Sequence, residues 1–222
     1  MSRPQALPCD YDTNPERWTK RPSAAQGAGD VHEIVADRIR QERLSPVIDM
    51  GSGHGRLGDL LGPSVPCFGI DRSPGQVSRS TQPAGLADAT QLPVRSGSAG
   101  AVAALWMLYH LNEPLIAIRE AHRVLRVGGL FVASTSRRDD SPEVQPTQAP
   151  TTFDSEEAPS IVKDVFSEVQ VQSWDRPMFT LPDRDAVREY LLSRMADPEL
   201  ANRVDTPVTV TKRGCLVWAR KR

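Results

Sequence analysis

The stretch Val47 to Leu61, VIDMGSGHGRLGDLL, constrains the fold more than any other segment of this chain. VIDM is a short apolar run suited to a buried strand, GSGHG carries glycine at every second position, and RLGDLL has helical spacing. Glycines permit positive φ and let a backbone come close to a ligand. The free N–H groups at the start of the following helix face the same spot. A strand, a glycine turn and a helix in that order belong at the carboxyl edge of a parallel sheet, where α/β proteins hold nucleotide-like ligands.

The rest of the chain continues the alternation. Asp30 is placed to cap a helix running to about Leu44, with Pro46 as its stop. Pro66 to Ile70 forms a second apolar run ending at Asp71, and Ser73-Pro74 opens the next helix. Leu86-Ala87 is a weak third strand ending at Asp88, and Ala101 to Leu105 is a fourth. Glu113-Pro114 starts an amphipathic helix that Gly128-Gly129 should end, with Leu130 to Ala133 as the fifth strand. Asp154 to Phe166 reads as helix, Val169 and Val171 as an edge strand, and Val208 to Trp218 as the last strand. Parallel-type strands alternating with helices predict a doubly wound α/β sheet.

Length and composition fit one domain. The chain has 222 residues, 39% hydrophobic, with 27 basic against 28 acidic side chains. That balance gives no global positive field to gather nucleic acid or an anionic membrane. Cys9, Cys67 and Cys215 are scattered and form no zinc-type pair. MSRPQALPCDYD lacks the apolar run of a signal peptide, so a cytoplasmic location is expected. Residues 1–29 read as an irregular arm, with Tyr11 and Trp18 either stapling it to the core or flapping over a ligand, and residues 30–222 as a single domain. The loop 136–152 and the helix 183–196 stand out as additions on the substrate side.

The glycine segment admits two registers. Gly53-x-Gly55-x-x-Gly58 matches a dinucleotide fingerprint, but it begins some residues beyond the strand. Asp49, just before the turn, would repel a pyrophosphate and suits a cationic ligand. With that register, VIDMGSGHGRLGDLL resembles the first motif of class I S-adenosylmethionine-dependent methyltransferases. FGIDRSPGQV resembles the second, LADATQLPVRSGSAGAV the third, and LYHLNEPLIAIREAHRVLRVGGLFVAS the fourth and fifth strands with the helix between them. Across about residues 47 to 134, the resemblance is nearest to the ubiquinone-type, or type 11, small-molecule enzymes.

The resemblance implies a Rossmann-like seven-stranded sheet of order 3-2-1-4-5-7-6, last strand antiparallel, with helices on both faces. It implies S-adenosylmethionine as cofactor and S-adenosylhomocysteine as product. By the same resemblance Asp49, Gly51, Ser52, Gly53 and Gly55 form the cofactor loop. Asp71 would accept from both ribose hydroxyls, with Arg72 over the adenine, while Asp88 and the backbone of Ala89 would read the adenine edge. Leu105 would end the fourth strand at the cofactor, although relatives often carry a small polar residue or Asn there. His110 is the one candidate for orienting or deprotonating an acceptor, against a plain structural role at a helix start. No metal site is signalled. The expected partner is a small-molecule methyl acceptor rather than nucleic acid or membrane, on a monomer or homodimer. An RNA or protein methyltransferase, with Lys212, Arg213, Arg220, Lys221 and Arg222 on phosphates, and a non-catalytic cofactor-binding protein are the alternatives.

Overall fold

The computed structural model describes residues 4–7, 10, 12–13, 30–146 and 148–222. Cys9, Tyr11 and Trp18 lie outside the described residues. Seven strands form one sheet of order β3-β2-β1-β4-β5-β7-β6. β1 (Val47–Met50), β2 (Cys67–Asp71), β3 (Ala84–Leu86), β4 (Ala99–Leu105) and β5 (Leu125–Ser136) are parallel. β7 (Val208–Arg220) runs antiparallel to both β5 and β6 (Glu168–Leu181). β1 and β4 are buried along their whole length, as central strands covered on both faces must be.

Alternation divides the core between the two faces. Ile48 and Met50 pack on one side with Ala117, Ile118 and Ala121 of α4 (Pro114–Val124). Val47 packs on the other with Val35, Ala36 and Ile39 of α1 (Val31–Gln41) and Leu57 and Leu61 of α2 (Arg56–Leu61). The Asp30 carboxylate caps α1 by accepting from the His32 N–H at 3.0 Å. The helix ends at Gln41, before the expected stop at Pro46, because Arg43 turns left-handed (φ 53) and the Leu44 N–H closes on the Ile39 carbonyl at 3.0 Å.

The helix α4 likewise ends early, at Val124, and the glycine pair does not terminate it. Leu125 enters the sheet directly opposite Ala99, and residues 126–129 loop out before Leu130 pairs with Ala101. The Gly128 N–H donates to the Lys221 carbonyl at 2.7 Å and the Lys221 N–H to the Gly129 carbonyl at 3.1 Å. A contact about ninety residues away in sequence thus fixes these glycines, which local periodicity could not reveal. The Asp154–Phe166 segment condenses to a short helix α5 (Ala158–Lys163), and Ser73-Pro74 opens only a four-residue helix α3 (Pro74–Val77).

The largest departure lies at β6. Val169 and Val171 belong to a strand that continues to Leu181, with Leu181 paired to Val208. β5 leaves β7 at the pair Ser136 and Gly214, so Asp175 to Leu181 and Val208 to Arg213 continue as a two-stranded ladder past the end of β5, with the Arg137 and Ser141 N–H groups donating to the Arg213 and Thr211 carbonyls. On this projection sit α6 (Arg184–Ser193) and a 3-10 turn (Pro198–Arg203). Leu181, Val187, Tyr190, Leu191, Ala201, Val204 and Val210 close a third, small core with Val144 from the 136–152 loop. That loop is therefore packed, with Asp140 and Ser141 fully buried.

Candidate cofactor and acceptor site

The glycine loop is clamped over the end of β2. The N–H groups of Gly51 and Ser52 donate to the Ile70 carbonyl at 2.7 and 3.2 Å. Gly51 has φ 65, and a Cβ there would stand 2.7 Å from the Met107 Cβ, so no side chain fits between loop and wall. The Gly53 N–H donates to Asp71 Oδ2 at 2.9 Å, and the Ser73 N–H to Asp71 Oδ1 at 2.9 Å. An ionised carboxylate has about four lone-pair sites, so each oxygen of Asp71 retains one for a ligand. Capping of α3 falls to Ser73, whose hydroxyl accepts from the Gln76 N–H.

A pocket opens at this edge, enclosing about 530 Å³ of unfilled space including its mouth. Of the residues expected at the cofactor, Gly51, Gly53, Asp71, Arg72, Asp88 and Ala89 line it, together with His110. Asp88 Oδ1 accepts from the Thr90 N–H at 2.7 Å and the Thr90 hydroxyl at 2.6 Å. Those bonds hold its carboxyl below the usual carboxylate range, so it is ionised at neutral pH.

Four expected residues do not line the pocket. Ser52 turns its hydroxyl onto β2, where a Cβ on Gly69 would meet it at 2.6 Å. Gly55 is the left-handed cap of α2 and faces Ser80 and Gln82. Asp49 lies beneath the loop, 4% exposed, and burial followed by the Asp71 charge pushes its carboxyl up to about 7. Leu105 packs with Val47, Ala101 and Ala103 on the α1 face of the sheet. It is still within β4, paired with Ser134, and alternation points it away from the pocket. The chain turns at Trp106 (φ 58), and Met107 reaches the pocket instead.

Ile70, Ala87, Met107 and Leu111 line the pocket and were missed by motif reading. Ile70 directly precedes a strand-end acid, and Met107 and Leu111 flank His110 around one 3-10 turn (Leu108–His110), which are the signals that could have found them.

His110 is held from two sides. Its ring meets Tyr109 edge-on at 4.6 Å, and Nδ1 lies 3.0 Å from the Leu7 carbonyl. A carbonyl only accepts, so Nδ1 is the donor and Nε2 carries the lone pair of the neutral ring. Burial lowers the His110 pKa, which keeps that ring neutral at pH 7. The Leu7 N–H donates in turn to the Tyr109 carbonyl at 2.9 Å, and Asp12 accepts from the Ser73 hydroxyl at 2.6 Å. The described part of the arm is thus anchored at two sides of the pocket.

The charged run after β5 latches the cap, formed by α6 and the 3-10 turn on the β6–β7 projection, to β7. Arg137 and Arg213 meet Asp139, each at 2.9 Å, Arg138 meets Asp154 at 2.7 Å, and buried Asp140 meets Arg194 and Lys212. The basic end of the chain is similarly engaged: Arg220 pairs with Glu42, Arg222 with Glu168, and Lys221 caps the carbonyls of His122 and Leu125.

Residues 48–133 match the family model described as a methyltransferase domain. Malonyl-[acyl-carrier protein] O-methyltransferase of Laribacter hongkongensis (strain HLHK9) is 34% identical over 137 residues, which take in 52% of this chain and 46% of that protein. The chain therefore spans about half the length of this curated relative. Among solved structures, the YcgJ protein of Bacillus subtilis is similar with a TM-score of 0.63 and 16% identity, over 87% of this chain and 99% of that one. The [4+2]-cyclase SpnF is similar with a TM-score of 0.64 and 15% identity, over 98% of this chain and 99% of that one. At such identities these structures speak for the fold alone, and a cyclase among them shows that the fold does not by itself dictate the reaction. Over residues 48–133 the chain is thus similar to methyltransferase domains, on this sheet order and with acids at the end of β2 and just after β3.

Proposed function

We propose that the protein transfers the methyl group of S-adenosylmethionine to a small-molecule acceptor and releases S-adenosylhomocysteine. The observation that carries this reading is Asp71. Its carboxylate stands in the pocket wall with a lone pair left on each oxygen, the pattern a vicinal diol needs. It also takes the Gly53 N–H, the donor a pyrophosphate would require, which speaks against a dinucleotide. Gly58, the last glycine of the dinucleotide register, packs against Gln82 rather than the pocket.

Within this reading Gly51 and Gly53 leave room for the amino-acid part of the cofactor, Asp71 holds the ribose, and Asp88 with Ala89 reads the adenine. Asp49 acts from beneath, by fixing the loop. Bound S-adenosylmethionine supplies a methyl group already activated by its sulfonium. The protein's larger contribution is then to bring the acceptor to attack distance, worth up to about 7–11 kcal/mol in favourable intramolecular models. Where the acceptor must lose a proton, the Nε2 lone pair of His110 receives it, adding roughly 10²–10⁴-fold. The basic C-terminal residues spend their charge on internal partners, which supports a small acceptor over RNA.

Calorimetric titration with S-adenosylhomocysteine tests the donor site. The wild-type chain should bind, and Asp71→Ala should bind about 100-fold more weakly, or roughly 2.8 kcal/mol. Wild-type affinity in that variant removes the ribose assignment. Screening metabolite pools by mass spectrometry for methylated products then identifies an acceptor. With it, His110→Ala should lower kcat while leaving S-adenosylhomocysteine affinity intact.

A further inference from the structure

Beside the pocket, the cap encloses a polar cluster whose charges do not balance. Asp140 is 0% exposed, and its Oδ2 is shared by Arg194 Nη2, at 2.9 Å, and Lys212 Nζ. Its Oδ1 already accepts from the Arg213 backbone N–H at 2.7 Å. Lys212 Nζ is further satisfied by the Tyr190 hydroxyl at 3.0 Å and the Ser141 hydroxyl at 3.2 Å, which bond each other at 2.7 Å. One carboxylate therefore answers two cations, whose side chains are only 21% and 15% exposed. Burying an uncompensated charge is costly unless something supplies the missing countercharge.

The deficit falls on Arg194. Its Nε is buried without a hydrogen-bond partner. Beyond Asp140, the guanidinium has the Tyr190 side chain, whose ring centroid lies 5.7 Å from its central carbon, and Gln148 Oε1 at 3.5 Å, the far limit of a hydrogen bond. Gln148 is itself tied down, donating from Nε2 to the Asp140 carbonyl at 2.9 Å. The lysine is thus solvated by the protein, whereas the fork of the arginine is left partly open. A planar fork with spare donors matches a carboxylate in two-point fashion, which a point charge does not.

The position connects this fork to the chemistry. The Tyr109 phenol lies within electrostatic reach of Arg194, the Tyr109 ring touches His110, and His110 lines the cofactor pocket. Arg194 is the C-cap residue of α6, so the element that the β6–β7 projection adds to the fold brings the guanidinium towards Tyr109, the residue next to His110 of the pocket wall.

We propose that Arg194 determines acceptor specificity by receiving a carboxylate of the methyl acceptor, with the methylated atom lying nearer His110. This rests on the reading of the pocket as the methyl-donor site. Lys212 serves a different purpose, as the permanent partner of Asp140.

The test uses the full chain saturated with S-adenosylhomocysteine, titrated calorimetrically with benzoate and octanoate against benzamide and octanamide. The acids should bind at least tenfold more tightly than their amides. In Arg194→Gln that preference should vanish, while the melting temperature and S-adenosylhomocysteine affinity hold, since Asp140 keeps Lys212 as a single matched partner. Arg194→Lys provides a second variant that retains the charge, and it should show a reduced preference because the fork is lost. Equal behaviour of acids and amides in the wild type, binding by neither included, overturns the proposal. So does a preference that survives in Arg194→Gln, or inorganic phosphate competing as well as the acids, which would mark a non-selective anion site. Failure of S-adenosylhomocysteine to bind the wild type would instead strike the donor reading, so the two failures are separable.

Discussion

The two regions at this sheet edge are built by opposite means. Over β1 to β4 the pocket is built largely from backbone and from acids placed by strand ends: Gly51, Gly53, Asp71, Asp88 and Ala89. In the cap, the polar cluster is assembled from side chains far apart in sequence, namely Tyr109, Asp140, Gln148, Tyr190, Arg194 and Lys212. The first arrangement suits an invariant ligand, because a strand–turn–helix unit fixes direction whatever its side chains. The second suits a ligand that differs among proteins of one fold, because side chains on an added element change without altering the sheet.

The sharpest way to break this division is Asp140→Asn. It leaves two largely buried cations without a counterion, and removing one partner of such a set costs about 3–5 kcal/mol. Denaturant unfolding should show that loss, while S-adenosylhomocysteine still binds the native protein at near wild-type affinity. A parallel collapse of cofactor affinity would mean that the two regions are one cooperative site.

The converse substitution is Gly51→Ala. A left-handed backbone at a non-glycine residue costs roughly 1–2 kcal/mol, and the new methyl group meets Met107. Stability should fall by about that amount, and cofactor binding should drop below detection. The acid preference proposed for Arg194 belongs to the other region, so carboxylate binding should persist in the cofactor-free variant. Its disappearance would show that the cap depends on an ordered loop.

A smaller effect concerns pH. Burial pushes the Asp49 carboxyl in the folded protein up to about 7, above the ordinary value of 3.8, so the native state keeps the proton that the unfolded chain has lost. The associated stability is complete below pH 3.8 and is lost as pH rises through 7. Between pH 6 and 8 the loss should be about 1.4 kcal/mol. Asp49→Asn should remove it, so that its melting temperature gains on the wild type across that interval. Parallel curves would place the ionisation elsewhere.

The same division explains what could be read from sequence. Asp71 at the end of β2 and Asp88 just after β3 were legible as acids at the strand ends because a strand and the turn after it are contiguous. Leu105 was misplaced by the same logic carried one step too far: the strand had not yet ended, and the left-handed turn at Trp106 handed the position to Met107. Asp49 carried the right charge signal, but its depth beneath the loop depends on the packing of β1 against β2 and β4. The sheet order followed from family resemblance. The extension of β6 to Leu181, the looped-out glycines of β5 and the pairing of Asp140 with residues about 50 and 70 positions later did not. Each depends on contacts between distant segments, for which a single sequence offers no periodicity to count.

The pairing of Leu181 with Val208 has one more consequence. The chain leaves the sheet and returns to it at two residues that face each other across a ladder, so the segment between them is a cassette with adjoining ends. Such a piece can be lengthened, shortened or exchanged for another of the same entry and exit without re-registering any strand. Grafting residues 182–207 from a relative should therefore exchange the cap while leaving the sheet and the glycine-loop pocket unchanged.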